Sequence, residues 1–427
     1  MTSTAEKLRF AGDVNIEKVV VTSVNGFYQN IANQVIGIQI FEDIFSPFIT
    51  GTLIVKDSLD LANVFPLTGE EYLSLKIVTP TLKQGAIEGE FYIFKMTNRE
   101  ITGDRAVNYE LHFISQDSVV DMNKRISKKF KGKPSEIAKT IITDADIGLQ
   151  VKRPVNIEET SNQISYISNF WNPVRNMTYL CDHALNEKES PSYLFFENRA
   201  GFNFVSLDAL YNNKDYIEYF TYDNYVRDKT PDGKSAKDIV QDYKRIRRLA
   251  VPVAYDYMDR LEGGMLGSKQ YSFDIISKNV DIKEYDMFKD FDKNNHTNIH
   301  PLASNKSIFR YNSKIINRQR HWDNFTDGGD SSNSKFLQKR MSIMKATDAA
   351  KIEITVPGRT QYTVGQKVLV ELNKMEPVEK KDTDILDAML SGAYIIGAVN
   401  HFITRESHEC VMELFKDSLL KDINKAK

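Results

Sequence analysis

The sequence predicts a β-rich α+β chain of several domains, in which two similar β-barrels are separated by an inserted mixed α/β domain. Three observations carry this expectation. The chain has 427 residues, more than one ordinary core of about 150 residues holds. Short extended segments fill both ends, while the middle switches to helical spacing. The end of the chain also repeats, in order, patterns found near its start.

From Val14 to about Asp117 the residues read as strands. Val35 to Phe41 is rich in β-formers, Phe45-Ser46-Pro47 breaks it, and Gly51 to Asp57 resumes an extended pattern. Glu71 to Ile77 and Phe91 to Met96 alternate imperfectly, and Tyr109 to Phe113 alternates cleanly. Closely spaced strands with turns such as Thr102-Gly103-Asp104 indicate a small barrel or sandwich over residues 1–118. In Pro134 to Ile142 the apolar residues recur at helical spacing. A second helix follows Asn172-Pro173, with the stripe Val174, Met177, Leu180 or Cys181, and Ala184 or Leu185. Tyr193 to Phe196, a turn at Asn198 to Gly201, and Phe202 to Phe204 read as a hairpin. Residues 119–237 therefore form the mixed α/β domain. Strands return from about Asp238 and include Ile352 to Val356 and Lys367 to Leu372, giving a second barrel over residues 238–427. Within it, the polar stretch at about 290–345 reads as a long loop or insertion.

The repeat is the most informative pattern. Gly69 to Leu75 lies beside Gly365 to Glu371, Tyr92-Ile93-Phe94 with Asn98 beside Tyr394-Ile395-Ile396 with Asn400, and Gln116-Asp117-Ser118 beside Lys416-Asp417-Ser418. A weaker parallel sets Gly51–Asp57 against Gly267–Asp274. Two like barrels in one chain let three chains present six barrels, so that a threefold object can meet a sixfold one.

Composition excludes several classes. The 56 Lys+Arg nearly cancel the 58 Asp+Glu, for a net charge of -2, which argues against bulk affinity for nucleic acid or a membrane surface. No apolar run reaches the roughly 18 residues of a membrane helix, and the start MTSTAEKLRF carries no signal-peptide pattern. Two cysteines, Cys181 and Cys410, do not make a disulfide framework, so folding in a reducing cytoplasm is expected.

Phe41-Glu42-Asp43-Ile44-Phe45-Ser46-Pro47 followed by Gly51 to Val55 resembles the N-terminal part of baseplate hub proteins of contractile-tail phages, a family related to the base of type VI secretion spikes. Val356-Pro357-Gly358 with Gly365 to Val368, Ser391 to Ile396 with Asn400-His401-Phe402, and Leu414 to Asp417 resemble that family's second barrel. The resemblance covers both ends and is looser in the middle. It implies tail-tube-like barrels in a homotrimer forming a pseudo-sixfold ring, which joins a trimeric spike protein (in some systems with lysozyme activity) to the sixfold tail tube or its initiator. The tape measure protein and baseplate wedge proteins are further implied partners. DNA is expected only in transit, without membrane anchoring, and the expected location is the virion tail baseplate, assembled in the host cytoplasm. No needle-like repeat follows the second barrel, so a separate spike polypeptide is expected.

Chemical motifs are weak. His296 and His300 stand four apart, but no Glu follows His296 and Pro301 ends any helix, so they read as loop histidines. Asp290-x-Asp292-x-Asn294 starts like a calcium loop, but Asn295 replaces the glycine and Pro301 the bidentate Glu. Gly263 to Lys269 lacks phosphate-loop spacing and reads as a hairpin turn. Cys181 reads as a core thiol. The basic runs Lys124, Arg125, Lys128, Lys129, Lys131, Lys133 and Lys244-Arg245-Ile246-Arg247-Arg248 lack interleaved aromatics, and read as a solvated face or an acidic partner's surface, outside the ring. No catalytic, cofactor-binding or metal residue is expected, and no cofactor. The expected role is structural and non-enzymatic; the alternatives are a tail-associated cell-wall hydrolase and the base of a type VI-like spike.

Overall fold

The computed structural model describes residues 8–58, 61, 65, 67–81, 85–103, 106–222, 239–274, 278–306, 314–319, 335–374 and 386–424. It is β-rich with a few short helices, an α+β fold organised by one 13-stranded sheet. Seven strands come from the start of the chain: β1 (Asn15–Thr22), β2 (Tyr28–Asn30), β3 (Val35–Asp43), β4 (Thr50–Asp57), β5 (Tyr72–Val78), β6 (Ile87–Gly103) and β7 (Ala106–Ser115). Six more follow the middle: β8 (Tyr219–Tyr222), β9 (Arg248–Ala254), β10 (Ala350–Pro357), β11 (Lys367–Leu372), β12 (Gly392–Ile403) and β13 (His408–Phe415).

These strands form two arcs with matching order. The first runs β3-β4-β7-β6-β5-β1 and the second β9-β10-β13-β12-β11-β8. Tyr92 of β6 and Tyr394 of β12 therefore occupy corresponding strands, as do Leu73 in β5 and Leu369 in β11, and the Asp-Ser pairs follow β7 and β13. One difference is that β1 pairs antiparallel with β5, whereas β8 pairs parallel with β11. The parallel between Gly51–Asp57 and Gly267–Asp274 does not hold. Gly267–Asp274 pairs with Asn279–Asp286 and Ile315–Gln319 in a separate three-stranded sheet, and the counterpart of β4 is β10. Glycine followed by alternating residues suits any strand; only the pairing neighbours identify its place.

Each arc buries one face because its side chains alternate. In β4 every second residue from Gly51 to Asp57 is buried. Val19, Ile38, Leu53, Leu73 and Phe113 share one core, and Ile354, Val368, Ile396 and Met412 another. At about 1.5–3 kcal/mol per buried aliphatic side chain, these faces dominate the stability of both arcs.

The middle of the chain has its own core. Helices α1 (Gln116–Asn123), α2 (Pro134–Thr143) and α3 (Pro173–His183) accompany the pair Ile126–Gly132 and Ile164–Trp171. The stripe expected on α3 is buried at Met177, Leu180, Cys181 and Ala184. Pro173 opens α3, yet the free N–H of Val174 is capped by the Asp121 carboxylate from α1 (2.7 Å), while Asn172 makes no side-chain cap. The hairpin Tyr193–Asn198 and Gly201–Ser206 is buried on both faces. Tyr193, Phe195, Phe202 and Phe204 face the middle core, and Leu194, Phe196 and Val205 the second arc.

The polar stretch is more structured than a long loop. A short helix at Met287–Asp290 leads into it, a strand pairing of His300–Pro301 with Ser418–Leu419 and most of a helix at Leu337–Ala346 belong to it, and Met287, Leu302 and Ala346 share a small core. Buried hydrogen bonds to Asp417 and Ser418 hold it despite its polarity. The motif Asp327 to Asn333 lies outside the described residues, as does Asp104. Gly263 caps the C-terminus of helix Tyr257–Glu262 and Gly264 takes φ +77°, so the glycine pair is a helix-to-strand turn, not a hairpin turn.

Candidate functional site

The feature that binds the halves of the molecule is the seam between the arcs. β12 pairs antiparallel with β3 from Ile403↔Ile38 to Ala398↔Asp43, making the two arcs one sheet. Glu42, opposite Val399 in this seam, is buried. Its carboxylate accepts from the Thr363 hydroxyl and the Val364 N–H. Burial nevertheless pushes its pKa up to about 7.

The strands at the corresponding positions have open edges. β6 corresponds to β12, and beyond Tyr92 it pairs only with β7 among the described residues. β9 corresponds to β3 and, among the described residues, pairs only with β10. Both edges carry exposed apolar side chains: Phe94 (51%) and Ile101 (81%) on β6, and Val251 (40%) on β9. Open strand edges of this kind accept another strand.

The aspartates of both repeated Asp-Ser pairs act as anchors. Asp417 accepts from the Thr297 N–H (2.9 Å) and hydroxyl (2.8 Å) and pairs with His296 at 2.6 Å. Burial alone would raise the Asp417 pKa and lower that of His296, but their mutual attraction outweighs it, leaving Asp417 low and His296 high. Asp117 instead meets Arg153 at 3.4 Å, and Arg153 also pairs with buried Glu197, which accepts from the Ile49 N–H. A carboxylate after β7 and another after β13 thus each fasten a cation from another segment.

Comparison with solved structures follows this architecture over nearly its whole length. A tail protein from Neisseria meningitidis MC58 matches with a TM-score of 0.55 at 10% identity, covering 94% of this chain and 96% of that one. The 43 kDa tail protein of prophage MuSo2 from Shewanella oneidensis matches with a TM-score of 0.55 at 10% identity, covering 94% of this chain and 98% of that one. The chain has the fold of phage tail proteins. An E. coli component of the type VI secretion system matches with a TM-score of 0.44 at 8% identity, over 95% of this chain and 77% of that one. No family model matches, and no curated protein sequence matches.

The sequence reading named no site residue, and one cluster escaped it. His401 and Cys410 are opposite each other on β12 and β13, and His408 stands two residues before Cys410 on the same face. All three are fully buried. His401 Nδ1 lies 3.0 Å from His408 Nε2 and 3.2 Å from Cys410 Sγ, and Sγ lies 3.4 Å from His408 Nε2. His401 Nε2 must donate to the Tyr362 carbonyl (3.1 Å), which leaves Nδ1 bare in the neutral ring. Burial lowers the His401 pKa to about 4 and that of His408 well below the ordinary value, so both rings are neutral at pH 7. Burial raises the Cys410 thiol, which stays protonated. The available signal was the spacing His-x6-His-x-Cys, whose two halves meet only because a hairpin folds them together.

Gly358, in the Val356-Pro357-Gly358 motif, makes room for this cluster. A Cβ there would lie 2.3 Å from the His408 ring. Gly358→Ala is therefore expected to lower stability by about 1–3 kcal/mol through overpacking, measured as a shift in urea midpoint.

The residues weighed earlier are dispersed. His296 serves the Asp417 anchor, stacked on Phe291, and His300 joins a short strand pair. Cys181 and Cys410 are both buried free thiols. Lys128, Lys129 and Lys131 are exposed, whereas Arg247 is tied to Glu409 and the Ala11 carbonyl. A groove of about 620 Å³ contains Glu189, Glu284, Asp286 and Asp290 beside Lys289, Lys335 and Lys339. Burial would raise Asp290, but Lys293 and Lys339 overcome this and hold its pKa low. A glycosidase acid needs a raised carboxyl. Burial raises the carboxyls of Glu42, Asp43, Asp121 and Glu197, and none of these residues lines the groove.

Proposed function

We propose that this chain is a non-catalytic structural subunit of a contractile-tail baseplate hub, three copies of which close a ring of six arcs. In this reading residues 1–118 and 238–427, with β8 added from within 119–237, build two tube-like barrels. Residues 119–237 otherwise form the mixed α/β domain, and 290–345 an insertion on the second barrel. The observation that carries the reading is the twofold use of one strand order, joined by the β12–β3 seam while β6 and β9 keep open edges. A β6–β9 contact between copies would repeat the internal seam. A heterologous contact of this kind generates a ring when its rotation closes. The threefold face would take a trimeric spike, the sixfold face the tail tube or its initiator, and the lumen would pass DNA. Tape measure and wedge proteins are further partners on this reading, in a virion tail.

Carrying the internal register across, with buried faces matched, sets Ile101 opposite Leu249 of a second copy, as Ile403 stands opposite Ile38. Pro252 has no N–H, which limits this ladder to the start of β9. With Ile101→Cys and Leu249→Cys in one chain, oxidation is expected to give covalent dimers and trimers; Cys181 and Cys410 are buried and do not compete. Sedimentation at micromolar concentration is expected to find a trimer, and Thr97→Pro a monomer. A wild-type monomer, together with no cross-link in the double-cysteine variant, would rule out the ring.

A further inference from the structure

We propose that His401, His408 and Cys410 form a metal site that takes a thiophilic divalent transition-metal cation, zinc, which pins β12 to β13 beside the seam. The inference rests on geometry that is independent of the assembly reading.

Three potential ligand atoms converge: Nδ1 of His401, Nε2 of His408 and Sγ of Cys410, at mutual distances of 3.0, 3.2 and 3.4 Å. Tetrahedral zinc has bonds of about 2.0–2.1 Å to nitrogen and about 2.3 Å to sulfur. Those bond lengths put ligand atoms roughly 3.3–3.6 Å apart, so the three side chains need to spread by only a few tenths of an ångström.

Hydrogen bonding alone does not satisfy this group. His401 Nε2 carries its ring's proton to the Tyr362 carbonyl, so Nδ1 offers a single lone pair to two neighbours. If His408 Nε2–H takes that lone pair, the Cys410 thiol has no nitrogen acceptor left in the cluster, and His408 Nδ1 is a bare acceptor that lacks a partner. If His408 carries its proton on Nδ1 instead, two bare nitrogens face each other at 3.0 Å. A cation at the centre accepts all three lone pairs at once, with the His408 proton on Nδ1, which has no hydrogen-bond partner with or without the cation. The His401–Tyr362 hydrogen bond is also the outer contact that fixes a ligating imidazole's tautomer and orientation.

The surroundings hold the ligands in place. His401 and Cys410 are held by the β12–β13 ladder, and the His408 backbone is held by its N–H to the Gly12 carbonyl and its carbonyl to the Gly358 N–H. Binding exchanges one proton: the Cys410 S–H bond breaks, the thiolate–zinc bond forms and the proton leaves to solvent, while both imidazoles enter neutral. No oxidant or reductant is involved. Because the three groups are fully buried, the metal enters as the chain folds. The three protein ligands leave one tetrahedral position for a fourth donor.

The test uses the full chain, refolded with zinc in slight excess and gel-filtered. Elemental analysis is expected to find about one zinc per chain in the wild type and in Cys181→Ala, and less than about a tenth of that in His408→Gln and Cys410→Ala. Refolding with cobalt in place of zinc is expected to give a thiolate-to-cobalt charge-transfer band in the wild type and Cys181→Ala. This cobalt measurement needs no variant at the site, so a folding failure of His408→Gln or Cys410→Ala leaves the test intact. A folded wild type holding less than about a tenth of an equivalent of zinc, with no thiolate-to-cobalt band, overturns the proposal. So does a wild-type band that persists in folded Cys410→Ala.

Discussion

Asp417→Ala is expected to lower stability by about 3–5 kcal/mol, the cost of breaking a buried ion pair from one side. The loss strands the half-buried His296 cation and removes the acceptor for the Thr297 N–H and hydroxyl. It should release the 291–298 segment from the end of β13, which hydrogen exchange at Thr297 and Asn298 would register. The His296 pKa is raised in the folded state, so its share of the anchor is complete below about 6.5 and is lost as pH rises through the higher folded value. The penalty should therefore be larger at pH 6 than at pH 9. Asp117→Ala, at the repeated position, should cost about 1 kcal/mol, because Arg153 keeps Glu197 and the Asp117 contact is long and partly exposed. Equal urea midpoints for the two variants would defeat this account.

Glu42→Gln is expected to stabilise the protein by up to about 3 kcal/mol at pH 8 and by almost nothing near pH 4.5. The folded carboxyl titrates near 7 and an unfolded one near 4. Between those values the folded chain keeps a proton that the unfolded chain has released. Stability from this group is therefore complete below about 4 and is lost as pH rises through about 7. Glutamine keeps an oxygen for Thr363 and Val364 and never ionises. A wild-type and variant difference that does not change between pH 4.5 and 8 would show that Glu42 ionises freely in the folded seam.

Both predictions sit at points where the sequence was legible in different degrees. Asp417 was visible, because Asp-Ser recurs after corresponding strands. Its partner was not: His296 lies 121 residues before it and stood in a stretch read as a loop. Glu42 lay inside a motif chosen for resemblance, with nothing to indicate that it is buried. The His401, His408 and Cys410 cluster has no helical spacing in the sequence, because these residues face one another across a hairpin.

The sequence alone determined the β-rich ends, the helices opened by Pro134 and Pro173, the Tyr193–Ser206 hairpin and most of the repeat. Each depends on local spacing, turn chemistry and side-chain alternation, which act over a few residues. Only the tertiary structure decided that β12 lies against β3, that β4 answers to β10, and that Asp417 holds His296. Those choices join residues more than a hundred positions apart. In sheets, a shift of one residue turns every side chain to the opposite face, so such pairings are set by which surfaces can be buried together.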